Sequence, residues 1–501
     1  MLTIREGANP NYLAKIVRLK GLRKHGNADR LQCVDIDFQT VITGLDAKEG
    51  AIYVYFPVES KINLEFLAHT NSFARYDLNK VYLDSGSLNQ KFLDDTVNRS
   101  ARTVGFFGEK GRVKAIRLRS EKSMGYIVPI SVIKDYFGAF NEDDYINVEF
   151  DTINDILAVE KFEVVKRNSG MARQGKQPKV SRIIEGQVHL HKDTAKLEPN
   201  IWKISPHHTI AITNKTHGTS WWVSNVKVKK QLTWKQKLAK FFGAEVHDTE
   251  YDFVYGSRNV VKNKGFDDPK QQDHYYGYDL WEDIKDTVKE HIPKGFTLYG
   301  EALGFTKDGS AIQKGYDYGC EPKEMKLEIY RITQTNDDGF VTELSHGQIT
   351  EFCLKTGLTQ SGEFHYGKAY WILPDVDAND PEWHNKFIAK LRADYNEKDC
   401  GRCVNEVPEE GVVLRVDDLF EFVAFKLKSF RFLEWESSSL DKGEVADIEG
   451  REPKVILSKE WVGDEEPIEE IKRGEWVDST EFSDYAAGID PIDKNEEDGS
   501  K

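Results

Sequence analysis

Short runs in which every second residue is apolar recur along the chain, and this spacing limits what it can fold into more than any other feature. Ala14-Lys15-Ile16-Val17-Arg18-Leu19 and Ala51-Ile52-Tyr53-Val54-Tyr55-Phe56 are early examples, with Gly and Asn/Asp turn signals between them. Period-two alternation marks a half-buried strand. Several such strands joined by short turns predict a small β-barrel over residues 1–160. The stretch Gly111–Arg119 also alternates, with a slip between Ala115 and Ile116 that predicts a bulge. Further strands are expected at Thr209–Thr213, Phe296–Tyr299, Leu327–Ile332 and Gly411–Arg415, and helices at Trp281–Glu290 and Pro381–Glu397. Strands and helices interleave irregularly, which fits α+β better than a doubly wound sheet.

The 501 residues leave room for about two to four domains. No apolar run is long enough to span a bilayer, so no membrane association is expected. The opening MLTIREGANPNYLAK lacks the apolar core and cleavage site of a signal peptide. Five cysteines, few and odd in number, fit a reducing, cytoplasmic setting.

A net charge of −15 argues at first against a nucleic-acid partner. Its distribution removes the objection. Residues 441–501 hold 20 acidic and 8 basic side chains, a net of −12, which leaves about −3 for the first 440 residues. A near-neutral body can still present a basic face, and local clusters decide phosphate affinity. The acidic segment 441–501 is expected to be partly disordered. Residues 161–184 form a basic linker carrying Lys166, Arg167, Arg173, Lys176, Lys179 and Arg182. Two readings stay open for it: a solvated connection, or one that also touches phosphates.

The most informative segment is TIAITNKTHGTSWW, Thr209–Trp222. A strand delivers Lys215, and Gly218 permits a tight turn with close backbone approach. A lysine amine is a nucleophile only when deprotonated, as burial or a neighbouring cation makes it. Attack on the α-phosphate of a nucleotide would give a phosphoramidate and release pyrophosphate. A lysine at a strand end is usually a solvated edge residue, so its company matters. Arg258 follows, then Glu301 in Tyr299-Gly300-Glu301, Tyr330 in Ile329-Tyr330-Arg331-Ile332, Glu410 in Glu410-Gly411-Val412-Val413, and Lys426 and Lys428 in Phe425–Ser429. Two carboxylates can bind ribose hydroxyls or a divalent metal. An aromatic face can stack on adenine. Two lysines on one strand face can neutralise phosphate charge in a transition state.

This ordered set resembles the covalent nucleotidyltransferase superfamily, which contains polynucleotide ligases and mRNA capping enzymes. Lys215-Thr216-His217-Gly218-Thr219-Ser220 resembles the RNA-ligase form of its first motif, in which histidine replaces the aspartate of DNA ligases. Tyr299-Gly300-Glu301 is similar to motif III, Ile329–Ile332 to motif IIIa, Glu410–Val413 to motif IV and Lys426–Lys428 to motif V. The resemblance implies that Lys215 carries AMP, with His217 as a second catalytic candidate that either titrates or holds a fixed hydrogen bond. It implies nucleotide contacts from Asn214, Thr216, Gly218, Arg258, Glu301, Tyr330, Glu410, Lys426 and Lys428, with Glu410 and Glu301 serving the metal. ATP and Mg²⁺ or Mn²⁺ are the implied cofactors. Many RNA ligases have glutamate before the nucleophile, and Asn214 departs from that pattern.

Domain order narrows the resemblance. DNA ligases and capping enzymes place an OB-fold after motif V, whereas only an acidic segment follows here. Lys24–Ile36, KHGNADRLQCVDI, resembles the opening strands of tRNA-binding OB-folds. Gly111–Pro129 and Gln187–Thr194 resemble segments of the Deinococcus-type RNA ligases, which carry an N-terminal OB domain. The expected layout is an OB-like nucleic-acid-binding domain at 1–160, a basic linker at 161–184, a two-sheet, ATP-grasp-like adenylyltransferase domain at 185–440 and an acidic tail at 441–501. Arg117 and Arg119 are expected on one strand face, opposite Arg112 and Lys114. One such face could meet a nucleic-acid backbone or the ATP phosphates, or be a solvated exterior. Cys400 and Cys403 are a single CxxC pair; zinc would need further ligands, with Cys320 and His384 as candidates, and ordinary buried cysteines are the simpler reading.

The expected activity is ATP-dependent sealing of a 3′-OH to a 5′-phosphate in RNA repair, by a monomer acting on RNA or on a nicked duplex with an RNA 3′-OH strand. The alternatives are a GTP-dependent capping-type nucleotidyltransferase and a non-enzymatic OB-fold RNA-binding protein.

Overall fold

Along β1 (Ala14–Arg18) and β4 (Ile52–Pro57), neighbouring side chains point to opposite faces of one sheet. The computed structural model describes residues 1–75, 78–79, 105–163, 181–266, 276, 278–419 and 421–442. Between β1 and β4 the chain makes a hairpin, β2 (Leu31–Ile36) and β3 (Gln39–Gly44); later it adds β5 (Ala115–Leu118) and β6 (Glu121–Pro129). The order is Glu149–Phe150, β1, β4, β6, β5, antiparallel throughout. The hairpin and Arg23–Lys24 form a separate three-stranded sheet. Val17, Tyr53, Tyr55 and Ile127 pack on Val34, Ile36 and Val41 of the hairpin. Ile16, Val54, Phe56 and Val128 point the other way, onto helices α1 (Leu64–His69) and α2 (Ile130–Phe137). None of these sheets closes on itself among the described residues. The hairpin sheet meets the larger one at Ile42, whose N–H donates to Ser123 Oγ at 3.1 Å.

The strand expected at Gly111–Arg119 is confined to Ala115–Leu118 and pairs with β6 without a register shift. Arg112 only bridges Lys61, and Arg119 and Ser120 form a left-handed turn. The slip in alternation marks the start of the strand, not a bulge.

Two five-stranded sheets make up the second half. The strands are β7 (Thr209–Lys215), β8 (Thr219–Lys229), β9 (Thr249–Gly256), β10 (Phe296–Gly304), β11 (Met325–Thr335), β12 (Val341–Glu343), β13 (Glu363–Lys368), β14 (Gly411–Val416) and β15 (Val423–Lys428). One sheet runs Ala195–Lys196, β15, β14, β7, β13; the other runs β9, β8, β10, β11, β12. Between β8 and β9 lies a helix, α3 (Trp234–Phe241), none of whose residues is buried. Helix α4 (Leu280–Val288) is N-capped by Asp279, which accepts from the N–H groups of Trp281 and Glu282, and lays Leu280, Trp281, Ile284 and Val288 on the second sheet. Helix α5 (His346–Thr356) starts in a Ser345–Gln348 capping box. Helix α6 (Trp383–Tyr395) packs Trp383, Phe387, Ile388 and Leu391 on the first sheet. Both expected helices are present, each shorter than its apolar pattern.

Helix α7 (Phe430–Asp441) begins directly after β15 because Ser429 Oγ accepts from the Phe432 N–H at 3.1 Å. It ties the two halves together. Phe430 and Leu433 pack on Val58, Ala115 and Met124. Its carboxylates take Arg112 (Glu436, 3.4 Å), Lys114 (Asp441, 2.7 Å) and Arg117 (Glu434, 3.3 Å). The cations expected to face nucleic acid, ATP phosphates or solvent thus meet this helix, and Arg119 instead donates to Asn27 O. The linker cations Lys166 to Lys179 and the tail beyond Lys442 lie outside the described residues.

Candidate active site

Lys215 ends β7 of one sheet and Thr219 begins β8 of the other, so TIAITNKTHGTSWW is where the chain crosses between them. Register gathers the distant motifs at this crossing. Lys215 pairs opposite Gly411, and Gly411 opposite Lys428; Ser220 pairs opposite Glu301. Space also requires glycine at two neighbouring positions. A Cβ on Gly218 would stand 2.3 Å from Ala302 O, and one on Gly300 would stand 2.4 Å from the buried Trp221 ring. The neighbouring tryptophans fix the crossing from below: Trp222 Nε1–H donates to Ser257 O at 2.7 Å, and Trp281 Nε1–H to Ser220 O at 3.1 Å.

Lys215 Nζ lies 2.8 Å from Glu410 Oε1. Glu410 is buried, and its other oxygen makes no hydrogen bond with the described residues. Glu301 accepts from the Gly218 N–H at 3.2 Å and the Ser220 hydroxyl at 3.1 Å. Lys426 and Lys428, two apart on β15, face the site while Leu427 between them enters the core. Burial, then the charges of Lys428, Lys215 and Arg258, push the Lys426 ammonium down to about 7. Burial works against the Lys428 ammonium too, but Glu436, Glu59 and Glu410 outweigh it and hold the proton firmly. Glu59, from the turn after β4, sits 2.8 Å from Lys428 with left-handed backbone.

His217 is boxed by aromatic rings, with Tyr316 at 5.0 Å and Phe432 at 5.1 Å between centroids. Its backbone N–H donates to the Tyr318 hydroxyl at 2.6 Å, and its Nδ1 lies 3.9 Å from Glu410. Thr216 is buried. Asn214 donates its backbone N–H to Gly362 O at 2.8 Å, and its buried side-chain oxygen makes no hydrogen bond with the described residues. Tyr330 on β11 meets His191 Nδ1 through its hydroxyl at 3.1 Å. Arg258, after β9, pairs with Asp193.

All of these candidates, namely Asn214, Lys215, Thr216, His217, Gly218, Arg258, Glu301, Tyr330, Glu410, Lys426 and Lys428, line one cavity of about 880 Å³. That is within the usual range for a ligand the size of a nucleotide. Sequence reasoning missed part of its wall. His191 and Asp193 lie in the Gln187–Thr194 segment that carries family resemblance, but no residue type singled them out. Arg415, on β14 two residues beyond motif IV, also faces the cavity. From the first half of the chain come Arg5, Lys61, Glu59 and Arg112. Pairing across such sequence distances leaves no local signal.

Cys400 and Cys403 are free thiols, and no group of three or more His, Cys, Asp or Glu suited to a metal is present among the described residues. His384, one suggested zinc ligand, is engaged with Ile204 O at 2.9 Å. Nor is any described helix long and apolar enough to cross a membrane.

No protein-family model and no curated protein sequence matches the chain. Its fold is similar to solved structures of Naegleria gruberi RNA ligase. A point variant with ATP and Mn has a TM-score of 0.50 and 13% identity, over 84% of this chain and 98% of that one. A second variant, with AMP and Mn, gives the same values. A third, also with AMP and Mn, has a TM-score of 0.50 and 14% identity, over 85% and 98%. At this identity the likeness is one of fold.

Proposed function

We propose that the chain is an ATP-dependent RNA ligase that works through a lysyl-adenylate on Lys215. The observation that carries this is the meeting of Lys215 with Glu410 at 2.8 Å inside a cavity that also holds the two β15 lysines. The similar fold of an RNA ligase solved with ATP or AMP and Mn supports it.

In the first step the Lys215 amine attacks the α-phosphorus. A P–N bond forms, the bond to pyrophosphate breaks, and Glu410 Oε1 is within reach of the proton the amine gives up. In-line displacement needs charge stabilisation more than a strong base, and Lys426 and Lys428 supply it from β15. In the second step a 5′-phosphate oxygen takes the adenylyl group and frees Lys215. In the third a strand 3′-OH attacks that 5′-phosphorus and AMP leaves. The buried Oε2 of Glu410, which no described residue bonds, and Glu301 in the same cavity suit a divalent cation. Mg²⁺ or Mn²⁺ held there would take its remaining ligands from phosphate and water, and would neutralise phosphate charge. His217, enclosed by rings, serves as a positioning group.

Tyr330 offers a face for adenine, and Arg258 a cation for ribose or substrate phosphate. The Asn214 side-chain oxygen, which no described residue bonds, can accept from the 6-amino group of adenine, whereas guanine presents an acceptor at that edge; this favours ATP over GTP. We assign residues 1–160 to an OB-like nucleic-acid-binding domain of the Deinococcus type, 161–184 to the linker, 185–440 to the adenylyltransferase domain and 441–501 to the tail. RNA repair by a monomer in the cytoplasm, on RNA or a nicked duplex with an RNA 3′-OH strand, fits this layout. Incubation with α-labelled ATP and, separately, α-labelled GTP tests the proposal. Covalent label from ATP alone is expected, and none in Lys215→Ala. Label from GTP would favour a capping-type enzyme, and no label from either a non-enzymatic RNA-binding protein.

A further inference from the structure

Helix α3 stands outside the machinery just described. It is capped by a Thr233–Gln236 box, so its start is well specified, yet it buries none of its residues. Trp234, Leu238, Phe241 and Phe242 are 70%, 48%, 82% and 76% exposed. Helical spacing puts these four on one stripe roughly 100° wide. Lys235 and Lys237 flank the stripe on either side. Residues 230–242 carry four lysines and no acid, in a chain of net charge −15.

Of these lysines, Lys240 pairs with Asp248 at 2.5 Å and Lys230 lies 3.6 Å from Glu250, so Lys235 and Lys237 are the two that carry the basic flanks of the stripe. β8 ends at Lys229, whose N–H donates to Arg182 O at 2.8 Å, and the Arg182 N–H donates to Lys264 O at 2.9 Å. These backbone bonds anchor the end of the linker stretch beside β8, while the Arg182 guanidinium pairs with Asp252. Large apolar side chains left in water on this scale mark an interaction site.

We infer that α3 is a docking site for a single-stranded segment of RNA, with bases stacked on Trp234, Phe241 and Phe242 and phosphates met by Lys235 and Lys237. Charge complementarity selects a polyanion. Three aromatic rings on a basic helix suit unpaired bases, each of which offers a π-face to any ring. A bilayer is the weaker fit, because eight residues make a helix only about 12 Å long. β8, with 11 residues at about 3.3 Å each, sets the helix roughly 35 Å from the crossing at Gly218. A strand that reaches both would extend about ten nucleotides from the junction, at about 3.4 Å per stacked step. This role rests on the reading of the chain as an RNA ligase and names where its substrate is held away from the reacting ends.

The test uses the full chain and a fluorescent single-stranded RNA 20-mer, followed by anisotropy over a salt series. The variant Trp234→Ala/Phe241→Ala/Phe242→Ala is expected to bind at least tenfold more weakly, and Lys235→Glu/Lys237→Glu to bind more weakly with a shallower salt dependence. Labelling with α-labelled ATP should be unchanged in both, since all five side chains are exposed and far from Lys215. RNA affinity equal to the parent's in the aromatic variant would overturn the inference. So would flotation of the parent with phosphatidylserine vesicles that the aromatic variant loses, if RNA affinity does not change. If the parent itself takes no label, the ligase reading fails while the RNA measurement still decides the role of α3.

Discussion

At the scale of single residues, the site rests on spacing and charge that two substitutions probe. Lys426 is the more informative. Its ammonium is pushed down to about 7, by burial first and then by its cationic neighbours. A triphosphate brings negative charge and restores the proton. Below pH 7 the free protein already carries that proton and binding is strongest. Above pH 7 each binding event must take one up, so affinity falls as pH rises, by up to tenfold per unit until the pKa of the complex is reached. Calorimetry at pH 8 with an ATP analogue bearing an uncleavable α–β bridge should give heats that differ between phosphate and Tris buffers. Lys426→Arg should abolish the difference, and equal heats in the parent would remove Lys426 from the phosphate site. Gly218 tests space instead. Alanine there would press Cβ against Ala302 O at 2.3 Å, an atom of backbone that cannot swing away. Gly218→Ala is expected to cost about 1–3 kcal/mol and to cut adenylation by more than its stability loss explains. Comparison of melting temperature with labelling rate checks both parts.

At the scale of elements, strands were legible and their limits were not. β7, β10, β11 and β14 lie where alternation predicts them, because each alternates between a core and a second surface. The run at Gly111–Arg119 misled because Arg112 is buried and paired, so its place in the pattern reflects an ion pair instead of a strand face. Nothing local in the sequence joins Arg112 to Glu436, 324 residues later. This pair makes α7 more than a cover. Arg112 is buried, its guanidinium 5.2 Å from the Phe162 ring centre and 3.4 Å from Glu436. Removing one partner of a buried pair typically costs about 3–5 kcal/mol. Lys114 and Asp441 are closer, at 2.7 Å, but Asp441 is half exposed, and such pairs contribute about 0–1 kcal/mol. Arg112→Ala should therefore lower the thermal midpoint by several degrees and Lys114→Ala by less than about 1 °C. Equal shifts would mean that α7 is held by its apolar residues Phe430 and Leu433 alone.

At the scale of the whole molecule, the order of motifs told which residues would meet, but not that the first half would help enclose them. The eleven candidates share a cavity because strand register brings Lys215, Gly411 and Lys428 to one end of a sheet. Arg5, Lys61, Arg112 and Glu59 complete its wall from residues with no motif of their own. Glu59 reaches Lys428, and the Lys196 ammonium donates to Val58 O at 3.2 Å, so the two halves share buried charge at the site itself. A nucleotide bound in this cavity would touch both halves and stabilise them as one body. At a hundredfold excess over Kd, binding adds about 2.7 kcal/mol. The unfolding entropy of about 2 cal/mol/K per residue comes to roughly 1 kcal/mol/K for the 455-residue compact unit, so the midpoint should rise by about 3 °C. Scanning calorimetry of Lys215→Ala, which under the proposed mechanism would bind without reacting, is the measurement. A single transition that moves as a whole is expected. Two transitions of which only one moves would mean that the nucleotide is held by the second half alone.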